Sequence, residues 1–167
     1  MAKFAIAVII ASVLIVGGIV WVTTKASQTG PLQGEEFESQ GGQHIAVGEE
    51  HIPYNSNPPT SGPHYVEPHP AGIFDNELVQ ENVVHSLEHG GIWITYKPDL
   101  PQDQIDQLKN IVRRNRAQVL LSPRAANDSL IALASWTRLL KLEQIDEDKI
   151  VSFIRANRDH APETIPL

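Results

Sequence analysis

The sequence predicts an α+β protein: a single N-terminal transmembrane helix followed by a small β-α-β-β-α sandwich that carries a long Pro/Gly-rich loop. Three observations predict it. The run from Phe4 to Val22 holds no charged residue. About 140 residues follow residue 25, enough for one compact domain with its own core. In the second half of the chain, β-branched and aromatic runs alternate with segments whose apolar residues recur at helical spacing.

At about 1.5 Å per residue, the stretch from Phe4 to Val22 covers roughly 28 Å, the thickness of a bilayer's hydrocarbon core. It also exceeds the apolar stretch of about 7–15 residues in a secretory signal. Residues 1–25 therefore read as an uncleaved anchor, with a cleaved signal as the alternative because Ala26 follows a small Thr24. Lys3 precedes the span, Lys25 follows it and acidic residues come soon after, which favours an inside N-terminus and an extracytoplasmic domain. The lipid bilayer is thus the first expected partner, and another membrane protein the second. Residues 26–43, rich in Gly, Gln, Ser and Glu, read as a flexible acidic stalk. Residues 44–167 are the expected extracytoplasmic α+β domain.

The chain has no cysteine, which excludes disulfides, thiolate metal sites and catalytic thiols, and its one methionine is the initiator. Any metal must therefore be held by nitrogen and oxygen. Beyond residue 25 there are 11 basic against 20 acidic residues, a net of −9, which argues against nucleic acid as a partner.

From His44 to Asp75 proline, glycine and asparagine dominate and neither periodicity is sustained, so irregular structure is expected there, shaped by Pro53, Pro58, Pro59, Pro63, Pro68 and Pro70. Ile92 to Tyr96 is β-branched and aromatic, and Pro98 closes it as a strand. Pro101 opens a helix whose apolar residues Ile105, Leu108, Ile111 and Val112 keep helical spacing. Asp103 and Asp106 near its start and Arg113, Arg114 and Arg116 near its end complement the macrodipole. Gln118 to Ser122 reads as a short strand, and Leu130 to Leu142 as a longer one around Trp136, although its Ala/Leu content leaves a helix open. Asp146 caps a last helix, with Ile145 and Ile150 as a hydrophobic staple and Ile150, Val151, Phe153 and Ile154 as its buried face. The order implies an antiparallel or mixed sheet with helices on one face, and ferredoxin-like topology is one arrangement within that class.

Six of the seven histidines fall between His44 and His89. The densest group is His85-Ser86-Leu87-Glu88-His89, whose histidines, four apart, share a face on a helix and a side on a strand. On a helix Glu88 joins them; on a strand it points away. The string fits H-x-x-E-H, the inverted zinc-peptidase pattern in which both histidines bind zinc and the glutamate acts on the bound water. It is also similar to the H-T-L-E-H segment of the S-ribosylhomocysteine lyase family, whose metal site is completed by a cysteine that this chain lacks. Upstream, the proline-stiffened run Asn55 to Tyr65 presents His64 on a preorganised backbone.

Together, the PPTSGPHY and VHSLEHGG segments resemble a family of bacterial membrane-anchored proteins known only as a domain of unknown function. The resemblance runs from about His44 to Glu163 and takes in Gly72-Ile73-Phe74-Asp75, the SWTRL segment and the closing APE. It implies that His44, His64, His85 and His89 stand at positions where relatives carry histidine, and that His51, His69 and His160 do not.

Three functions follow as expectations. The first is a membrane-anchored domain binding Zn²⁺ or Cu²⁺ through His85, His89, His64 and His44. The second is a non-metal interaction module of the cell envelope. The third is a metal-dependent hydrolase or lyase with Glu88 as general base. Whether the protein is an enzyme is left open by its sequence.

Overall fold

The computed structural model describes residues 31–163. The expected anchor lies outside the described residues, and among these no helix is long and apolar enough to cross a membrane. The described chain is mixed α+β. In order it forms β1 (Glu35–Glu36), β2 (His44–Ile45), β3 (His64–Tyr65), β4 (Gly72–Ile73), α1 (Gln80–Glu88), β5 (Ile92–Tyr96), α2 (Gln102–Arg114), β6 (Val119–Pro123), β7 (Ile131–Ser135), β8 (Arg138–Leu142) and α3 (Glu147–Asn157).

Six strands make one sheet in the order β1-β8-β7-β5-β6-β4, while β2 and β3 form a separate parallel pair. All five residues of β5, β6 and β7 are buried, as expected of central strands covered on both faces. Their alternation sorts the core. Ile92, Ile94, Val119, Leu121, Ile131 and Leu133 pack with Leu108 and Ile111 of α2 and with Ile150, Phe153 and Ile154 of α3. Trp93, Leu120, Ala132 and Ala134 face the other way and pack with Val83, Val84 and Leu87 of α1. The Asp146 carboxylate caps α3 by accepting from the Lys149 amide at 3.1 Å, and Ile145 and Ile150 share one cluster.

Four expectations are corrected. Helices cover both faces of the sheet, because α1 occupies the one thought to be bare. Leu130 to Leu142 is a hairpin: β7 and β8 pair antiparallel, and the chain reverses at Trp136 and Thr137, the latter at φ 59°. The topology is not ferredoxin-like, since β5 and β6 are parallel direct neighbours where that fold would insert a strand between them. Residues 33–37 are no flexible stalk: β1 pairs with β8, the Gln33 amide donates to Asn157 Oδ1 at 2.8 Å, and Phe37 packs on the α1 side of the core. Backbone pairing to a sheet edge holds this segment, and composition does not register it.

Candidate metal centre

The parallel pairing of β2 with β3 sets His44 opposite His64, which brings their side chains to one side of the ribbon. The amide of His64 donates to the Gln43 carbonyl and that of Gly62 to the Gly41 carbonyl, both at 2.9 Å, so the proline-rich loop is laced to residues 41–43. Helix α1 lies against β3: His85 Nδ1 bonds the Tyr65 carbonyl at 2.9 Å, and Ser86 Oγ donates to the His69 carbonyl at 2.7 Å. The helix stops because Gly90, at φ +85°, turns its amide back to the Leu87 carbonyl. A Cβ there would stand 2.8 Å from Asp159 Cα, so the same glycine lets the C-terminal segment close over the helix end.

These elements gather His44, His64, His85 and Glu88, whose donor atoms all lie within 4.8 Å of one another. The His44, His64 and His85 rings are mutually packed, with centroids 4.8–5.0 Å apart. His64 Nδ1 meets the Gly62 carbonyl at 2.8 Å. A carbonyl only accepts, so Nδ1 of both His64 and His85 carries the proton, and in each neutral ring Nε2 keeps its lone pair. Glu88 Oε2 comes within 3.1 Å of His64 Nε2, yet the two are not aligned for a hydrogen bond, and this buried nitrogen has no hydrogen-bond partner among the described residues. Burial holds the His64 and His85 imidazoles below their ordinary pKa and raises that of the Glu88 carboxyl, to which Glu163 adds.

Of the four expected ligands the structure brings together His44, His64 and His85, and Glu88 completes the group where His89 was expected. His85 and Glu88 are three apart on α1 and share a face, whereas His89 lies past the helix end at φ −87°, ψ 11°. Its Nε2 reaches His85 Nε2 at 2.9 Å and its Nδ1 lies 3.7 Å from Glu163 Oε2. His51 pairs with Glu81 at 3.5 Å, and His69 packs its ring on Phe74. Neither belongs to the group, nor does His160.

A family model described as "Protein of unknown function (DUF3105)" matches residues 44–166. The chain belongs to this family. No curated protein and no solved structure matches it. All four residues of the group fall inside the DUF3105 match, which begins at His44 itself.

One contributor to the site gave no signal in the sequence. A Cβ on Gly42 would lie 1.7 Å from Glu88 Oε1, so this glycine's bare backbone is what leaves room for the carboxylate. The Gly-Gly pair at residues 41 and 42 read only as flexible composition, because its purpose is a contact with a residue far along the chain.

Proposed function

We propose that this DUF3105 domain binds one divalent transition-metal ion, Zn²⁺ or Cu²⁺, on the extracytoplasmic side of a membrane. Its ligands are His44, Nε2 of His64 and of His85, and the Glu88 carboxylate. The observation that carries the proposal is the pair of buried imidazoles whose Nδ1–H groups are spent on backbone carbonyls, in a group of four side chains whose donor atoms lie within 4.8 Å of one another and in which His64 Nε2 stands 3.1 Å from the Glu88 carboxylate. That is the outer hydrogen bonding by which proteins fix metal-binding histidines. On a tetrahedral ion at about 2.0–2.1 Å, neighbouring donor atoms stand roughly 3.3 Å apart, so binding draws a group whose donor atoms lie within 4.8 Å of one another inward by up to about 1.5 Å. Three nitrogens and one oxygen suit either ion. Residues 1–25 supply the membrane anchor, supported by the uncharged run from Phe4 to Val22. A hydrolytic role would need Glu88 free to act on metal-bound water, and its place among the donors favours ligation instead.

The test is elemental analysis of the protein purified without a histidine tag, followed by melting with and without added ion. One ion per chain is expected. At 100 times Kd it stabilises the fold by about 2.7 kcal/mol. His85→Ala removes most of that gain and His160→Ala none. Identical melting of parent and variants, with and without Zn²⁺ or Cu²⁺, overturns the proposal.

A further inference from the structure

The four donors are not held alike. His64 is 0 % exposed, His85 5 % and Glu88 6 %, whereas His44 is exposed. The first two are each tied by a ring hydrogen bond to a backbone carbonyl, and Glu88 is confined by Gly42 and sits where its own carbonyl accepts the Glu163 amide at 3.1 Å. The His44 ring, by contrast, touches the His64 and His85 rings and is fixed by no hydrogen bond among the described contacts. It rides on a two-residue strand with a partner on one side only. Two tethered imidazoles and a buried carboxylate therefore form an inner half-site, and the fourth donor, His44, stands at the side from which an ion reaches it.

We infer that His44 is the exchangeable ligand of this centre, and that the coordination position it fills accepts an imidazole from outside the chain, as on a histidine of a protein that delivers or receives the ion. The inference rests on the metal reading above. Exchange needs no redox step and no net proton transfer: the bond from metal to His44 breaks, one from metal to the incoming neutral imidazole forms, and the ion keeps its charge and three inner bonds. Releasing one loosely held ligand at a time costs less than stripping all four, because each bond lost is replaced before the next breaks. An imidazole is the matching newcomer because it reproduces the donor type that it displaces, on an ion whose other ligands remain borderline nitrogen and oxygen. The site then serves for passing an ion on, where a ligand set buried on all sides would serve for keeping it.

The probe is Cu²⁺, read by its visible absorption and by nitrogen hyperfine structure in electron paramagnetic resonance, on the full untagged chain. His44→Gly is expected to bind one Cu²⁺ more weakly with a shifted band, and free imidazole to restore both the band and the parental number of coordinated nitrogens. His64→Gly is expected to lose the ion with no restoration, since its cavity is sealed from solvent. On the parent itself, imidazole is expected to speed transfer of Cu²⁺ to a chelator. If the parent takes up no Cu²⁺ or Zn²⁺ at all, the metal reading fails and this inference with it. If the parent binds but folded His44→Gly does not respond to imidazole, or the transfer rate on the parent is independent of imidazole, the exchange inference is overturned and the metal reading stands.

Discussion

Gly42 gives a way to move one donor without touching it. Its backbone is in an ordinary conformation, so alanine is tolerated there, and the only atoms that must yield are those at the flexible end of Glu88. Gly42→Ala should leave the melting of the metal-free protein within about 0.5 kcal/mol of the parent, as a surface change would. The stabilisation by added Zn²⁺ or Cu²⁺ should shrink. A variant that binds metal like the parent would show that Glu88 is not a ligand. Protons act at the same residues. Because burial depresses His64 and His85 in the folded state, the unfolded chain takes up protons first, and the stability present above about pH 6.5 is lost as pH falls from there toward the lower folded values. Glu88 acts oppositely: its raised folded pKa means that acidification relieves the cost of its buried charge. With two histidines against one carboxyl, thermal melts of metal-free protein should drop on going from about pH 7.5 to about pH 5.5. A melting temperature unchanged over that range would show that these imidazoles are not buried neutral.

At the scale of elements, legibility followed the strength of the local signal. The helix over Gln102–Arg114 and the capped helix over Glu147–Asn157 announce themselves by periodicity, end charges and the Asp146 cap, and both are present. Helix α1 did not, because Val79 at its N-cap makes no side-chain capping bond and polar residues interrupt its nine positions. Its stability comes from tertiary packing: Val83, Val84 and Leu87 are fully buried against Trp93 and Leu120, each contributing about 1.5–3 kcal/mol. That helix also decided which side chains gather, since of the two readings left open for His85–His89 only a helix puts Glu88 beside His85. Leu87→Ala should cost about 2–5 kcal/mol in chemical denaturation and loosen metal binding as well, because α1 carries two of the donors. Loss of stability with unaltered metal affinity would mean that the site holds together without the helix's packing.

Across the whole molecule, the domain is larger than its family match. The match begins at residue 44, yet the chain is one compact unit from Leu32 onward. A fragment of residues 44–167 loses the strand pairing to β8, the Gln33–Asn157 bonds and the Gly42 contact, and should melt below a fragment of residues 32–167 and bind metal less tightly. Equal melting of the two would return residues 32–43 to the role of a passive tether.

The pairing of Glu35 and Glu36 with Leu139 and Arg138 bears on how such a chain is made. A ribosome emits residues in order, and the earliest strand described here waits for a partner about a hundred positions later. Until that partner emerges, its edge hydrogen bonds go to water. Synthesis must therefore run nearly to the end before residues 35 and 36 are locked to the sheet, whereas the bonds from Gly62 to Gly41 and from His64 to Gln43 join partners about twenty positions apart.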